Sequence, residues 1–600
     1  MSSPRGGSNL GFNQNIILWG LLLLLAAPTT PAASDKAKGE KHPKRLASEA
    51  FFTSTNIPLL RITISEEGIN ELRSTQRSSS TNSRPSVQCT IQEGANIYTN
   101  VAVHLKGSYG SFQSVDEKPG MTFNIDKFGK GQTFHGLEKM SLNNSRQDGT
   151  YTVDKLSREL YNRLGVPTPR ENYVRVSLNR RDLGLYLLVE GWDKNFLKGH
   201  FKNTKGNLYD GGFAKDITAD KNVNSGETPE DQSDLKALVA AAREKNLKKR
   251  FDALNQLLDL DKFVTMLVVD AAMWNWDGYP LNRNNYRVYH DMDQDKLIFM
   301  PHGMDQLFLK PEGPLVPAMK GTIAKAAMQI PEVRQRYLDR AAELLRTSLR
   351  TDALTNRVME LAARVRPVLQ SLKRGDEAQS YQYELDTLLA RMAGRIRSLQ
   401  EQIEGVKSLV KFDGTAPVPI TSWDQRNGST LHVSGTKAQT KQLALNAGPQ
   451  KVWASTLWLV EGKYRIEGLV KTEKLVPLPD SPGASRRETK MVNGVAQNSV
   501  TVANEPGGAG FRVWSQRKLT EGNDWDWFPY RESRNYLLRG NLLAAPGSGK
   551  RVSGDSDWTK VSFDFDLRQP VADLHLLFDT RASAGKAILD AESVTIQRLK

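Results

Sequence analysis

One cysteine, Cys89, is the entire thiol inventory of this 600-residue chain. No internal disulfide can form, and zinc sites built from two or four cysteines are excluded. Histidine is scarce as well, with eight scattered residues and no ligand spacing among them. Cys89 falls in the alternating run Val87–Ile91, which predicts a strand and a packed thiol. Basic runs interleaved with aromatics are missing. The net charge of +15 therefore favours anionic partners in general without indicating a nucleic-acid groove, and no nucleic acid is expected as a partner. Long apolar runs are missing too. The nearest is Ile16–Ala27, which falls short of the about 20 residues that cross a bilayer. With Arg5 before it and the small residues Pro31-Ala32-Ala33 after it, residues 1–33 read as an export signal. Cleavage would leave no membrane span and a secreted, periplasmic or cell-envelope protein; an uncleaved anchor is the alternative.

What is present is ordinary globular material, 39% apolar and 25% charged, in a chain too long for one core. Composition shifts divide it. Residues 34–56 are a linker, whose charged stretch Ser34–Ser48 reads as a tether. Residues 57–408 mix strands and helices. Residues 409–450 hold Pro417 and Pro419 and read as a linker with first strands. Residues 451–600 are short strands with turn residues, the pattern of an antiparallel β-sandwich. The fold class predicted is α+β followed by an all-β sandwich.

The chemistry concentrates in Trp274–Lys310. Asp277 follows an aromatic run, and a polar loop ends in Asn284 and Asn285. The strands YRVYH and KLIFM flank a polar turn, and Asp305 follows Pro301 and Gly303. An acid, an amide a few residues on, a hairpin and a second acid can hold a divalent metal and orient a hydroxyl. Protein kinases use that order. Asn282 stands at the shorter spacing of ordinary kinases and is the alternative amide. Asp291, Asp293 and Asp295 lack the glycine and terminal glutamate of a calcium loop and read as a polar turn.

Upstream, Lys106-Gly-Ser-Tyr-Gly-Ser111 lies between predicted strands. Such a turn is either a plain hairpin or a loop whose N–H groups approach phosphate. Lys118 follows just before the strand Met121–Ile125. Leu156, Leu160 and Leu164 mark a helix over 154–164 that carries Glu159, either a lysine partner or a solvated acid. The apolar strand 183–189 emerges at Glu190-Gly191-Trp192, either an adenine-cradling hinge or a core strand with an exposed end. Trp514, Trp525, Trp527, Phe528 and Tyr530 either stack on sugars or fill the sandwich core.

Several pieces occur in a set order: LKGSYGS (105–111), SLNNSRQDGTYTVDKLSREL (141–160), LGVPTPRENYVRVSLN (164–179), LGLYLLVEGWDKNFL (183–197), GNLYDG (206–211), WDGYPLNRNNYRVY (276–289) and FMPHGMDQLF (299–308). On these the chain resembles the spore-coat-protein-H (CotH) family of atypical secreted protein kinases over about residues 57–404. The resemblance implies a kinase-like bilobal domain over 57–408 that transfers the γ-phosphate of ATP, with Mg²⁺ or Mn²⁺, to a protein Ser or Thr. It implies Asp277 as the catalytic aspartate that accepts or orients the hydroxyl proton, and Asn285 and Asp305 as metal ligands. Lys106, Gly107 and Ser108 would form the phosphate-facing loop. Lys118 would contact the phosphates with Glu159 as its partner, and Glu190 would lie beside adenine. Many relatives carry Pro-Trp-Asp-x-Asp where this chain reads Pro301-His302-Gly303-Met304-Asp305, so one acid is missing at Gly303. The tail pieces GKYRIEGLVKT, DSDWTKVSFDF and GKAILDAESVTI resemble a jelly-roll carbohydrate-binding module, implying polysaccharide as a second partner. The alternative reading is a catalytically inactive coat or envelope protein with a glycan-binding tail.

Overall fold

The computed structural model describes residues 43–76, 84–108, 110–227, 230–372, 375–405, 410–427, 433–438, 440–448, 451–460, 462–492, 495–515, 541–542, 551–567 and 571–599. The proposed export signal lies outside them. Among the described residues no helix is long and apolar enough to cross a membrane.

A helix, α1 (Pro43–Thr53), opens the structure. It revises the tether expected over 34–48 from Pro43 onward. Pro43 suits a first helical position, and Phe51 and Phe52 sink into the neighbouring core. Its charges find specific partners, which composition cannot show: Lys44 bonds Glu138 at 2.8 Å, and Arg45 reaches Glu190 at 3.3 Å.

Seven strands then close a barrel: β1 (Leu59–Ile64), β2 (Val87–Glu93), β3 (Asn96–Lys106), β4 (Gly120–Asn124), β5 (Lys139–Asn143), β6 (Glu171–Leu178) and β7 (Arg181–Glu190), in spatial order 1-2-3-4-5-7-6. A parallel pairing of β1 with β6 completes the ring. Period-two alternation drives it. Leu60, Ile62 and Ile64 on β1 and Val101, Val103 and Leu105 on β3 fill the interior. Cys89 is buried there, and burial pushes its thiol up to about 12, as expected for a packing residue. The β6–β7 hairpin turns on Asn179 and Arg180, both at positive φ, and the Asn179 side chain bonds the backbone of Ile64 on both sides.

Helix α2 (Glu66–Arg73) leans on the barrel. Helix α3 (Val153–Arg163) lies between β5 and β6, started by the buried Asp148 carboxylate, which accepts from the backbone of Thr150, Thr152 and Val153. After β7 come α4 (Lys194–His200), β8 (Leu208–Asp210) and β9 (Asn222–Ser225). The helices α5 (Ser233–Arg243), α6 (Leu247–Leu257) and α7 (Leu260–Ala272) follow. Helix α7 is buried on nearly every face, and a single turn, α8 (Tyr279–Asn282), comes after it. Strands β10 (Tyr286–Asp291) and β11 (Lys296–Pro301) form a hairpin that joins β8 and β9 in a second sheet, order 11-10-8-9. The acids of its turn serve the turn: Asp291 accepts from Asp293 and Gln294, and Asp295 bonds His290. Helices α9 (Thr322–Met328), α10 (Pro331–Arg346), α11 (Thr351–Ser371) and α12 (Gly375–Gly405) complete this half.

The remaining strands are all-β. Those at Val418–Pro419, Asp424–Asn427, Val433–Lys437 and Gln442–Asn446 already pair with later ones, so this body begins inside the 409–450 stretch. One long strand, Val571–Leu599, pairs first with Lys451–Leu459 and Gly508–Ser515, then with Gly462–Pro477 and Gln442–Asn446. It thereby carries the chain from one sheet to the next over a shared core that includes Tyr464, Phe511, Phe563 and Phe578. Trp525, Trp527, Phe528, Tyr530 and the side chain of Trp514 lie outside the described residues.

Candidate functional site

The backbone after α7 curls around Asp277. Asn275 anchors the curl from below, its Nδ2 donating to buried Asp270 at 2.7 Å. Arg283 and Asn285 then adopt positive φ, which folds the Asn-rich loop back on itself. Three amides meet the Asp277 carboxylate. Asn282 donates to Oδ1 at 2.6 Å, Asn284 bridges both oxygens at 3.1 Å, and Asn285 donates to Oδ2 at 2.9 Å. Burial raises the pKa of Asp277, and the three amides oppose that rise.

Asn285 also reaches forward. Its Nδ2 donates to the Gly303 carbonyl at 3.2 Å, and its own carbonyl accepts from His302. Gly303 has a φ of 60°, and a Cβ there would stand 2.9 Å from the Asn285 amide. The glycine thus lets the turn after β11 close over Asn285. Among the described residues the Asn282 side chain bonds Asp277 alone, so Asn285 is the amide that joins the first acid to the turn bearing Asp305.

Asp305 is held up at about 7, first by burial and then by the fields of Asp154, Asp148 and Asp277. The lysine facing these acids is Lys106, at the end of β3. Burial lowers its pKa, while Asp154 and Asp305 pull it back up. Leu105 points into the barrel, so Lys106 points out of it, toward α3 and the 303–305 turn. Asp154 is itself gripped by Arg158 at 3.0 Å and accepts from the Met304 backbone at 3.3 Å. Arg158 also pairs with buried Glu171 at 2.8 Å. Burial and the neighbouring Asp154 push Glu171 well above the carboxylate range.

Lys118 does not share this arrangement. Its ammonium donates to the Tyr151 hydroxyl at 2.5 Å and lies over the rings of Tyr151 and Tyr186. Glu159 is not its partner but pairs with Arg357 at 2.7 Å and Lys155 at 3.2 Å, tying α3 to α11. The Glu190 side chain is fully buried between Arg170 and Arg45, which docks α1, so it does not face an open base pocket. These three placements correct the roles expected from the resemblance. In each case a tertiary partner far away in sequence decides where the charge points. Gly107 has a φ of 103°, and its carbonyl accepts from Arg84 at 2.7 Å. The Ser108 N–H turns to the Ser111 hydroxyl, so the loop is closed on itself.

Sequence reading missed Asp154, Arg158 and Glu171. The Asp154–Arg158 spacing of four on one helix was the available signal, but it signifies only a helical ion pair.

Among the described residues no three His, Cys, Asp or Glu side chains converge to cage a metal. A cation there would rest on Asp305 and the Asn285 oxygen, completed by ligand oxygens, as magnesium commonly is at phosphate sites. The donor set fits. Asp305 lies in the fields of three other carboxylates, and Asp148 spends its oxygens on backbone N–H groups.

The CotH kinase protein family matches residues 103–409. The chain belongs to this family. The match starts within β3, so β1 and β2 of the barrel precede it. Among relatives, Invasin CotH7 of Rhizopus delemar is 23% identical over 42% of this chain and 48% of its own length. Spore coat protein homolog 1 of the same organism is 21% identical, over 32% and 34%. Inner spore coat protein H of Bacillus subtilis is 20% identical, over 46% and 81%. This CotH chain thus spans half or less of the two fungal relatives it matches, and most of the bacterial one.

Proposed function

We propose that this CotH protein is an exported atypical protein kinase that transfers the γ-phosphate of ATP to a Ser or Thr hydroxyl. The observation that carries the reading is the Asn285 amide, which bonds Asp277 and the 303–305 turn together while Lys106 faces Asp305. The kinase-like bilobal fold belongs to the same proposal, supported by the barrel, the lower helical half and the hairpin between the two acids.

ATP with Mg²⁺ or Mn²⁺ would supply the transferable phosphoryl group and neutralise its charge. The chain's part is positioning and electrostatics. Asp277 takes the substrate hydroxyl proton on a carboxylate oxygen. Its four amide contacts hold that carboxylate still, and the two long contacts from Asn284 are those a hydroxyl displaces. Lys106 holds phosphate oxygens. Asn285 and Asp305 are the groups that would hold the metal, and Arg158 keeps Asp154 ionised beside Lys106.

The second reading is a catalytically silent coat or envelope protein. It is favoured by Gly303 in place of an acid and by relatives named as spore coat proteins. Export through residues 1–33 and polysaccharide binding by the C-terminal sheets belong to both readings. Phosphate transfer from radiolabelled ATP, with and without Mn²⁺, decides between them. The kinase reading expects transfer that falls about 10²–10⁴-fold in Asp277→Asn while ATP binding persists, the range for a lost general base. Equal transfer by the variant, or no metal-dependent ATP affinity in the native chain, overturns it.

A further inference from the structure

One buried side chain holds the carbonyls on both sides of Lys106. Strand β2 starts at Val87, paired with Val103 on β3. The same register would set Pro85 opposite Leu105, and proline has no N–H to donate. Arg84 supplies the missing donors. Its Nη1 donates to the Leu105 carbonyl at 3.0 Å and its Nη2 to the Gly107 carbonyl at 2.7 Å. Carbonyls two residues apart in an extended chain point to the same edge. One planar guanidinium therefore bridges both, with Lys106 between them. Arg84 is only 9% exposed and lies outside the 103–409 family match.

The surroundings of the lysine are fixed as well. The Arg84 guanidinium lies 5.5 Å from the centre of the Phe112 ring. The Phe112 N–H in turn closes the loop onto the Ser108 carbonyl at 2.9 Å. The stem of Lys106 has a seat on the next strand. Lys106 pairs with Gly120 on β4, where a Cβ would stand 3.0 Å from the Lys106 Cγ. The glycine thus leaves the stem room to lie across β4. A lysine stem is flexible and its charge is a point, so the direction of the ammonium depends on what holds the chain beneath it.

We propose that Arg84 is a positioning residue for Lys106: its two bonds fix the peptides on both sides of the lysine and so set where the ammonium meets the phosphate oxygens of ATP. The inference rests on the reading of Lys106 as the phosphate-holding lysine. The role of Arg84 runs through that lysine and not through contact with ATP. Its rigid fork suits two carbonyls on one edge, which a single ammonium does not match. A clasp of purely structural use would stabilise the barrel whatever stands at position 106. The two roles therefore differ in a measurable coupling between Arg84 and Lys106.

The test is a double-mutant cycle on the full chain, read by calorimetry as Mn²⁺-dependent ATP affinity. It compares the native chain, Arg84→Met, Lys106→Met and the two changes together. Arg84→Met should weaken ATP binding about tenfold, the scale of one charge-assisted hydrogen bond. In the Lys106→Met background it should weaken binding no further. Arg84→Lys keeps the charge and loses the fork, so it should lose affinity in the same direction. It carries the cycle if circular dichroism shows Arg84→Met unfolded. Full affinity in Arg84→Lys, or an equal further loss in the Lys106→Met background, overturns the inference and leaves the kinase reading standing. A native chain that binds ATP with metal yet transfers no phosphate ends the kinase reading, and the same cycle still decides this one. A native chain without metal-dependent ATP affinity overturns both.

Discussion

The Asn285 amide stands between Asp277 and Gly303, donating to the carboxylate of one at 2.9 Å and the carbonyl of the other at 3.2 Å. One side chain therefore sets both the orientation of the candidate base and the position of the turn that bears Asp305. Among the described residues the Asn282 side chain hydrogen-bonds Asp277 and not the turn. Asn285→Ala should lose both phosphate transfer and metal-dependent ATP affinity, whereas Asn282→Ala should lower transfer with metal-dependent affinity retained. Calorimetry with and without Mn²⁺ reads the difference, and identical losses in the two variants would contradict the assignment.

The two lysines separate in the same way. Lys106 lies in the field of Asp305 and Asp154, while Lys118 sits against Tyr151 and Tyr186. Lys106→Met should reduce phosphate transfer by about tenfold or more, the scale of one lost charge-assisted contact. Lys118→Met should leave ATP affinity unchanged. Steady-state kinetics on both variants, with circular dichroism to confirm folding, would show whether the roles are reversed.

Restoring the missing acid should not restore activity. Gly303 occupies the left-handed region at 60°, and its missing Cβ makes room for Asn285, 2.9 Å away. Gly303→Asp imposes a conformational cost of about 1–2 kcal/mol and displaces the amide that holds Asp277. Lower melting temperature and lower transfer are expected together. A gain in transfer would show that the turn can reopen around an added carboxylate.

Buried Asp270 should contribute a loss of stability as the pH rises toward neutrality. Asp270 accepts from Tyr161 at 2.6 Å and Asn275 at 2.7 Å. Burial carries its carboxyl up to about 7, against about 3.9 in an unfolded chain. Between those values the folded state keeps a proton that the unfolded state has released, so this group's contribution to stability is full below about pH 4 and is lost through about pH 7. Asp305, also near 7, adds a slope of the same sign. Asp270→Asn should reduce the decline, leave Asp305's share, and raise the melting temperature above neutral pH. Thermal unfolding across this range checks it, and an unchanged slope would place the titration elsewhere.

Local pattern made much of this protein readable from its residues alone. The β10–β11 hairpin, the α3 helix, the buried strand of Cys89 and the order acid, amide, hairpin, acid all rest on contacts between near neighbours in the chain. The periods of two and 3.6 record such contacts directly. The family likeness rests on the same short pieces. The partners of individual charges were not readable. Lys106 and Lys118 stand on either side of one loop, and nothing in their spacing says which faces the acids. Barrel closure decides it, by sending Leu105 inward and Lys106 outward. Glu190 and Glu159 were likewise placed by Arg45 and Arg357, 145 and 198 residues away. Chain pattern thus determined which elements form and in what order. Only the tertiary structure decided which charge meets which, because an ion pair depends on distance in space and leaves no period in the sequence.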